Sequence, residues 1–193
     1  MGIEFELKFK ANEAQLAKIC ADLCEDTRTY QMQSTYYDTA CGDFSARRCT
    51  LRCRRENEKS ICTLKTPKAG AARGEFEVEG ASVAEALPIL CKLSGEQELQ
   101  ALAHSQLLEV CGARFTRIAK LLLLEGCTAE LALDRGVLTG AGKELPLCEA
   151  ELELKSGSEN QLLHFAQEFA ERYQLQEEKL SKFRRALDLA KGE

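Results

Sequence analysis

The chain has 193 residues, of which 45% are hydrophobic and 30% are charged, and its formal net charge at pH 7 is −5. This composition is typical of one globular domain, no apolar run is long enough to predict a membrane span, and the net negative charge argues against nucleic-acid binding. Because the N-terminus is charged and has no apolar signal region, we expect a cytoplasmic protein with neither a nucleic acid nor a membrane as partner.

A strand and a helix are predicted first along the chain. Residues 3–10 alternate strictly between apolar and charged side chains, as a strand with one buried face does. Asn12 and Gln15 form a capping-box pattern, which predicts the start of a helix. The later predicted elements are strands at 33–38, 48–56, 60–66 and 74–80, a helical stretch at 82–112 interrupted at Pro88 and Gly95, strands at 114–124, 127–134 and 146–156, and helices at 158–173 and 181–191. About eight strands, mostly joined by hairpins, indicate an α+β domain with an antiparallel sheet or barrel.

The ten cysteines have no spacing that predicts a zinc site. No CxxC pair occurs, and His104 and His164 are isolated from each other and from the cysteines, so four ligands at zinc-like spacing are not found. Four cysteines fall on the apolar phase of alternating segments, and we interpret them as small buried hydrophobic residues. They are Cys53, Cys62, Cys127 and Cys148.

Charged side chains recur on one face of the predicted strands and are sorted by sign. The acidic positions are Glu4, Glu6, Glu75, Glu77, Glu79, Glu130, Asp134, Glu149, Glu151 and Glu153, and the basic positions are Lys8, Arg52, Arg54, Lys65, Arg117 and Lys155. Among these, Glu79 and Glu130 are expected to be rim or solvated residues rather than ligands. Glutamates at every second strand position lie about 7 Å apart and repel one another unless cations lie among them. Divalent cations prefer carboxylate oxygens, and arginine and lysine suit phosphate oxygens. Both signs together predict a site for a metal–polyphosphate complex, although a solvated face explains any single strand as well.

An ordered set of motifs resembles the CYTH superfamily, the triphosphate tunnel metalloenzymes. The motifs are Glu4-x-Glu6-x-Lys8, Leu51-Arg52-x-Arg54-Arg55, Thr63-Leu64-Lys65, Arg117, Leu133-Asp134-x-Gly136, the run at 148–157, and Leu180-Ser181-Lys182 with Arg185. Glu-x-Glu-x-Lys alone is a weak signal, whereas the ordered set covers nearly the whole chain. The runs CEAELELKSG, ALDRG and LSK are most similar to the CYTH domain of bacterial inorganic triphosphatases.

The resemblance implies one CYTH domain over residues 1–193, folded as an eight-stranded antiparallel β-barrel with flanking helices around a charged tunnel. It implies that triphosphate is bound by Lys8, Arg52, Arg54, Lys65, Arg117, Lys182 and Arg185. It implies that one or two Mg²⁺ or Mn²⁺ ions are held by Glu4, Glu6, Asp134, Glu149, Glu151 and Glu153. The residues expected to carry catalysis are Glu4, Glu6, Lys8, Arg52, Arg54 and Lys65. Glu75 and Glu77 match less closely, Arg55 and Arg73 are expected to face outward, and a homodimer is a candidate assembly.

The resemblance favours hydrolysis of a small-molecule triphosphate, namely inorganic tripolyphosphate, to pyrophosphate and phosphate. The alternatives are hydrolysis of thiamine or nucleoside triphosphate, adenylyl cyclisation of the class IV type, and a non-catalytic polyphosphate-binding module. The chain has no tryptophan and only 6% aromatic residues, which argues against an extensive stacking platform for an organic group. At single positions, a turn role for Asp134, an ion pair between Arg54 and Glu153, and a surface role for Lys182 also stay open.

Overall fold

The computed structural model describes residues 5–23, 25–67, 73–80 and 82–192, with the backbone alone for Arg73. Its elements in chain order are β1 (Glu6–Lys10), α1 (Glu13–Leu23), β2 (Arg28–Asp38), α2 (Asp43–Ala46), β3 (Thr50–Glu56), β4 (Lys59–Pro67), β5 (Arg73–Glu79), α3 (Val83–Ser94), α4 (Gln97–Gln100), β6 (Leu108–Leu124), β7 (Cys127–Gly140), β8 (Lys143–Gly157), α5 (Glu159–Tyr173), β9 (Gln176–Glu177) and α6 (Lys182–Lys191). No helix in these ranges combines the length and the apolar character that crossing a bilayer requires.

The strands form one antiparallel sheet in the order β5-β4-β3-β2-β6-β7-β8-β1-β9. The predicted α+β class with an antiparallel sheet and flanking helices is confirmed. The predicted closed, eight-stranded barrel is wrong, because the described residues form nine strands and the edge strands β5 and β9 do not pair with each other. The reason lies at β1, whose outer edge pairs with Gln176 and Glu177 and is therefore not available to β5.

The sheet is strongly curved around a cavity. Side chains of β1 and β5, which lie near opposite ends of the strand order, line the same cavity. On the convex face, α1 and α5 cover a core with Ile19, Leu152 and Phe169, and α3 covers a second core with Leu64 and Leu90. Burial of these apolar faces drives the sheet and helices together and leaves the charged phase of each strand on the concave face.

The last helix, α6, packs on the concave face. Its residues Phe183 and Leu187 contact a third core that includes Met32, Phe115 and Leu138. Met32 lines the cavity itself, Phe115 lies two residues from Arg117, and Leu138 lies four residues from Asp134. Side chains two or four residues apart in a strand point to the same side. Thus α6 lies over one end of the cavity, next to its charged lining.

The predicted helical stretch at 82–112 differs from the structure at two points. Residues 108–112 belong to β6 rather than to a helix, since they pair with the second half of β2. Pro88 lies inside α3 without interrupting it, because burial of Leu87, Leu90 and Cys91 compensates for the one hydrogen bond that proline removes. Gly95 ends that helix with a left-handed φ of 72°, as glycine after a helix commonly does.

The predicted burial of four cysteines is confirmed for Cys62 and Cys127, and Cys53 and Cys148 are half-buried. Cys53 and Cys62 do more than fill space, because they form a disulfide between β3 and β4. They face each other in the register of that hairpin, a pairing that spacing along the chain does not reveal.

We expect Gly136→Ala to lower the free energy of unfolding by about 2 kcal/mol or more. Gly136 faces Phe115 across β6 and β7, and an added Cβ would lie 2.1 Å from the Arg114 carbonyl oxygen and 2.5 Å from the Phe115 Cα. The matched control is Gly80→Ala, whose Cβ would meet only Val78 Cγ1 at 4.0 Å. Urea unfolding of both variants measures the difference, and equal midpoints would contradict the expectation.

Candidate functional site

The concave face surrounds a cavity of about 1240 Å³ that is lined mainly by charged side chains. The predicted site residues that line it are Glu6, Lys8, Arg52, Arg54, Lys65, Arg117, Glu151, Glu153 and Lys182. Three further predicted residues lie behind this lining: Asp134 and Glu149 form ion pairs with Lys182 of the lining, and Arg185 forms an ion pair with Glu149. Glu4 and the side chain of Arg73 fall outside the described part of the chain.

One wall of the cavity is cationic and is formed by β3 and β4. Arg52 lies opposite Thr63 in the register of this hairpin, and its Nη2 donates to Thr63 Oγ1 at 3.3 Å. Thr63 Oγ1 in turn donates to Glu77 Oε1 at 3.0 Å. Burial raises the pKa of Tyr36, and the nearby charge of Arg52 opposes this increase. The guanidinium of Arg52 is therefore oriented by the Thr63 hydroxyl and lies near Tyr36.

Arg54 stands two residues further along the same wall. Its Nη2 lies 3.3 Å from Glu56 Oε2. Burial lowers the pKa of Arg54, and the nearby charges of Arg52 and Arg117 lower it further. Three guanidinium groups thus share one partly desolvated region, and such a concentration of positive charge favours a bound anion.

The opposite wall carries a row of three glutamates on adjacent strands. Glu153 of β8 lies directly opposite Glu6 of β1 and Glu130 of β7. Lys8 is 3.1 Å from Glu6, and Lys155 is 2.7 Å from Glu153 and 4.0 Å from Glu130. Like charges directly opposite each other are unfavourable, and these partly exposed oxygens are the donors that Mg²⁺ or Mn²⁺ prefers. This glutamate row therefore fits a divalent cation.

Glu130 belongs to this row although the sequence indicated a rim or solvated residue. Alternation along β7 predicts which face it occupies, but only the pairing of β7 with β8 places it opposite Glu153. This register is set by the short turn between Gly140 and Lys143 that joins the two strands.

A second acidic group, which we call the buried carboxylate cluster, consists of Asp134, Glu149 and Glu151. One carboxylate oxygen from each lies within 4.8 Å of the others. Arg117 donates to both oxygens of Asp134 at 2.7 Å through Nε and Nη2 and also contacts Glu151. Lys182 Nζ lies 2.8 Å from Asp134 and 2.6 Å from Glu151 and contacts Glu149. These oxygens also have metal-ligand chemistry, but the protein's own cations already share them.

The buried carboxylate cluster is matched by equal positive charge. Arg185 contacts Glu149, so three basic side chains meet three carboxylates. Burial lowers the pKa of Lys182, but the three carboxylates outweigh burial and raise that pKa above its usual range. Burial raises the pKa of Glu149 to about 7. For Glu151, Lys182 and Arg117 outweigh the effect of burial and hold the pKa below its usual range.

The expectation that Arg55 faces away from the cavity agrees with the structure. Arg55 lines a separate depression of about 510 Å³ with Gln31, Asn57 and Arg114. Gln31 and Arg114 lie on the opposite phase of their strands from the cavity residues Met32 and Phe115. Arg54 and Arg55 are thus neighbours in sequence on opposite faces of one strand.

Comparisons with known proteins agree on one family and one fold. The CYTH domain profile matches residues 2–187. An inorganic triphosphatase of Haemophilus influenzae is 27% identical over 136 residues, which are 69% of this chain and 39% of that protein. The chain thus matches well under half the length of that relative.

Two solved structures show the same fold at low identity. A candidate adenylyl cyclase from Hippeastrum, described as having a dominant triphosphatase activity, is similar with a TM-score of 0.65 at 18% identity, over 100% of this chain and 97% of that one. A protein from Pyrococcus horikoshii is similar with a TM-score of 0.58 at 24% identity, over 97% of this chain and 99% of that one.

We expect Lys182→Met to lower the free energy of unfolding at pH 7 by about 3 kcal/mol or more, because it removes one cation from a buried ionic network. The loss should shrink toward pH 5. Without Lys182 the pKa values of Glu149 and Glu151 rise in the folded state, so these groups take up protons as the pH falls and the repulsion is relieved.

The control is Lys179→Met, which removes an exposed lysine three residues earlier and should change stability by less than about 0.5 kcal/mol. Urea unfolding at both pH values measures the effect. A loss for Lys182→Met that is no larger than for the control would show that the buried carboxylate cluster does not depend on Lys182.

Proposed function

The chain belongs to the CYTH domain family, and we propose that it is a metal-dependent triphosphatase that hydrolyses inorganic tripolyphosphate to pyrophosphate and phosphate. The observation that carries this proposal is the single cavity that places the cationic wall of β3 and β4 opposite the glutamate row. A triphosphate with a divalent cation has the complementary charges for both walls.

In this proposal the phosphate oxygens are bound by the basic residues of the cavity. Arg52 and Arg54 present guanidinium groups from the same face of β3, and such groups bind two phosphate oxygens at once. Lys8 and Lys65 add point charges from β1 and β4. Each of these two lysines has a carboxylate partner close by, Glu6 at 3.1 Å and Glu75 at 3.2 Å, which holds the ammonium group in the cavity.

The glutamate row is the proposed site for Mg²⁺ or Mn²⁺, with Glu151 at its inner side and Glu4 as a further expected ligand. When bound, such an ion supplies neutralisation of charge on the phosphate oxygens. Asp134 and Glu149 remain expected ligands of a second ion, although both are engaged with basic side chains in this structure.

The chain's own groups suggest direct transfer of the phosphoryl group to water. In the described lining there is neither a cysteine nor a histidine that would serve as a covalent nucleophile or its base. In this proposal the carboxylate of Glu6 or of Glu153 orients the attacking water molecule and accepts its proton. Arg54 and Arg117 would stabilise the charge that develops on the transferred group and on the leaving pyrophosphate.

Organic triphosphates are the second candidate substrates, because the same cavity has an apolar part. Tyr30, Met32, Phe115 and Phe183 line it next to the charged residues, and these side chains offer a contact surface for a base or a thiamine ring. This surface supports nucleoside or thiamine triphosphate hydrolysis, and also cyclisation, as alternatives to tripolyphosphate hydrolysis.

A substrate panel separates these functions. With Mg²⁺ or Mn²⁺ present, we expect the highest kcat/KM for tripolyphosphate, lower values for ATP and thiamine triphosphate, and loss of turnover when EDTA removes the metal. The products to be measured are orthophosphate, pyrophosphate and cyclic AMP. Cyclic AMP as the main product would contradict the proposal, and tight binding of tripolyphosphate without turnover would show a binding module.

We expect Arg54→Ala to raise the KM for tripolyphosphate about tenfold or more, since it removes a charged phosphate ligand. Arg55→Ala is the matched control, because this neighbouring arginine faces the other side of the strand, and its KM should stay within about twofold of the wild type. Steady-state kinetics with both variants gives the comparison. Equal KM values would place the phosphate away from β3.

A further inference from the structure

Glu178 is a buried carboxylate that the proposed chemistry does not use. It lies between β9 and α6, is only 4% exposed, and is not part of the cavity lining. A buried carboxylate is costly unless charged or hydrogen-bonding groups surround it. Its partners therefore indicate what the structure gains from it.

Glu178 connects β1 with the start of α6. Its backbone N–H donates to the carbonyl oxygen of Lys8 at 2.7 Å, and its Oε1 accepts from the Leu180 N–H at 2.8 Å. Its Oε2 lies 3.4 Å from Arg185 Nη1 and 3.5 Å from Lys10 Nζ. One residue thus contacts the strand that carries Lys8 and the helix that carries Lys182.

The ionic contacts continue from Glu178 into the cavity. Arg185 lies between Glu178 and Glu149, and Glu149 also contacts Lys182. Lys182 borders the cavity. Because these groups are buried, their mutual attraction is weakly screened by solvent. A change of charge at Glu178 therefore changes the electrostatic potential at Lys182.

We propose that Glu178 is a positioning residue that fixes α6 relative to β1 and so places Lys182 and Lys8 for binding of the triphosphate. The inference rests on the proposed function, and it assigns to Glu178 no contact with substrate. The carboxylate anchors the N-terminal part of α6 through Leu180 and Arg185, while the backbone of the same residue holds the strand of Lys8.

The test compares Glu178→Gln with Glu177→Gln. The first change keeps the side-chain shape and an oxygen that accepts from Leu180, but removes the negative charge from Arg185. The second makes the same chemical change at the exposed neighbouring residue. We expect Glu178→Gln to raise the KM for tripolyphosphate about tenfold with kcat within about twofold, since ground-state and transition-state binding are lost equally. Glu177→Gln should match the wild type.

A second measurement reports the position of α6 without any catalysis. Cys111 is buried under this helix, with its Sγ 3.9 Å from the Phe183 carbonyl oxygen, and burial raises the pKa of its thiol to about 12. We expect native-state alkylation by iodoacetamide, followed by peptide mapping, to modify Cys111 faster in Glu178→Gln than in Glu177→Gln. The exposed Cys41 should react equally in both.

The outcomes are distinct. Equal KM values for the two variants would overturn the inference, and so would faster alkylation of Cys111 with an unchanged KM, which would leave Glu178 a purely structural role.

If the wild type hydrolyses no triphosphate, the proposed function fails, and the calorimetric Kd for tripolyphosphate decides instead. Weaker binding by Glu178→Gln alone supports the inference, whereas equal or absent binding overturns it. If Glu178→Gln does not fold, Glu178→Asp, which keeps the charge but shortens its reach, is judged by the same criteria.

Discussion

The ion pairs between α6 and the buried carboxylate cluster are the interaction on which the rest of the site depends. Three carboxylates within 4.8 Å of one another would destabilise a sheet if nothing neutralised them. Lys182, at 2.6 Å from Glu151 and 2.8 Å from Asp134, supplies this neutralisation together with Arg117 and Arg185. The helix is therefore held by charges that border the cavity as well as by the apolar contacts of Phe183 and Leu187.

Alternation along the strands allows one sheet to build both a core and a charged cavity. In β8, Leu152 and Ala150 are buried under α1 and α5, while Glu151 and Glu153 between and beside them line the cavity. The apolar face provides the free energy that keeps like charges close on the other face. Loss of the convex core would therefore disperse the site, even though its residues Ile19, Leu152 and Phe169 do not line the cavity.

The sequence predicted the faces of the strands better than their neighbours. The period of two in residues 3–10 and 149–153 placed Glu6, Lys8, Glu151 and Glu153 on one side, and the structure agrees. The opposition of Glu130 and Glu153, the disulfide between Cys53 and Cys62, and the pairing of β9 with β1 depend on register and tertiary contacts. A period along one strand contains no information about these. The closed barrel that the family resemblance implied was wrong because β1 pairs with β9 instead of β5. The family resemblance supplied the set of site residues, but not the engagement of Arg185 with buried carboxylates rather than with the cavity.

The two acidic groups of the site differ in how their charge is balanced, and this difference suggests how they divide their roles. The buried carboxylate cluster meets three basic side chains, whereas the three glutamates of the row lie near two lysines, Lys8 and Lys155. A divalent cation is therefore attracted more strongly to the glutamate row than to the buried carboxylate cluster. A triphosphate entering the cavity would compete with Glu151 for Lys182 and Arg117. Binding of the anion would therefore free carboxylate oxygens of Glu151. On this view, binding of the negatively charged substrate would raise the affinity of the protein for a metal ion.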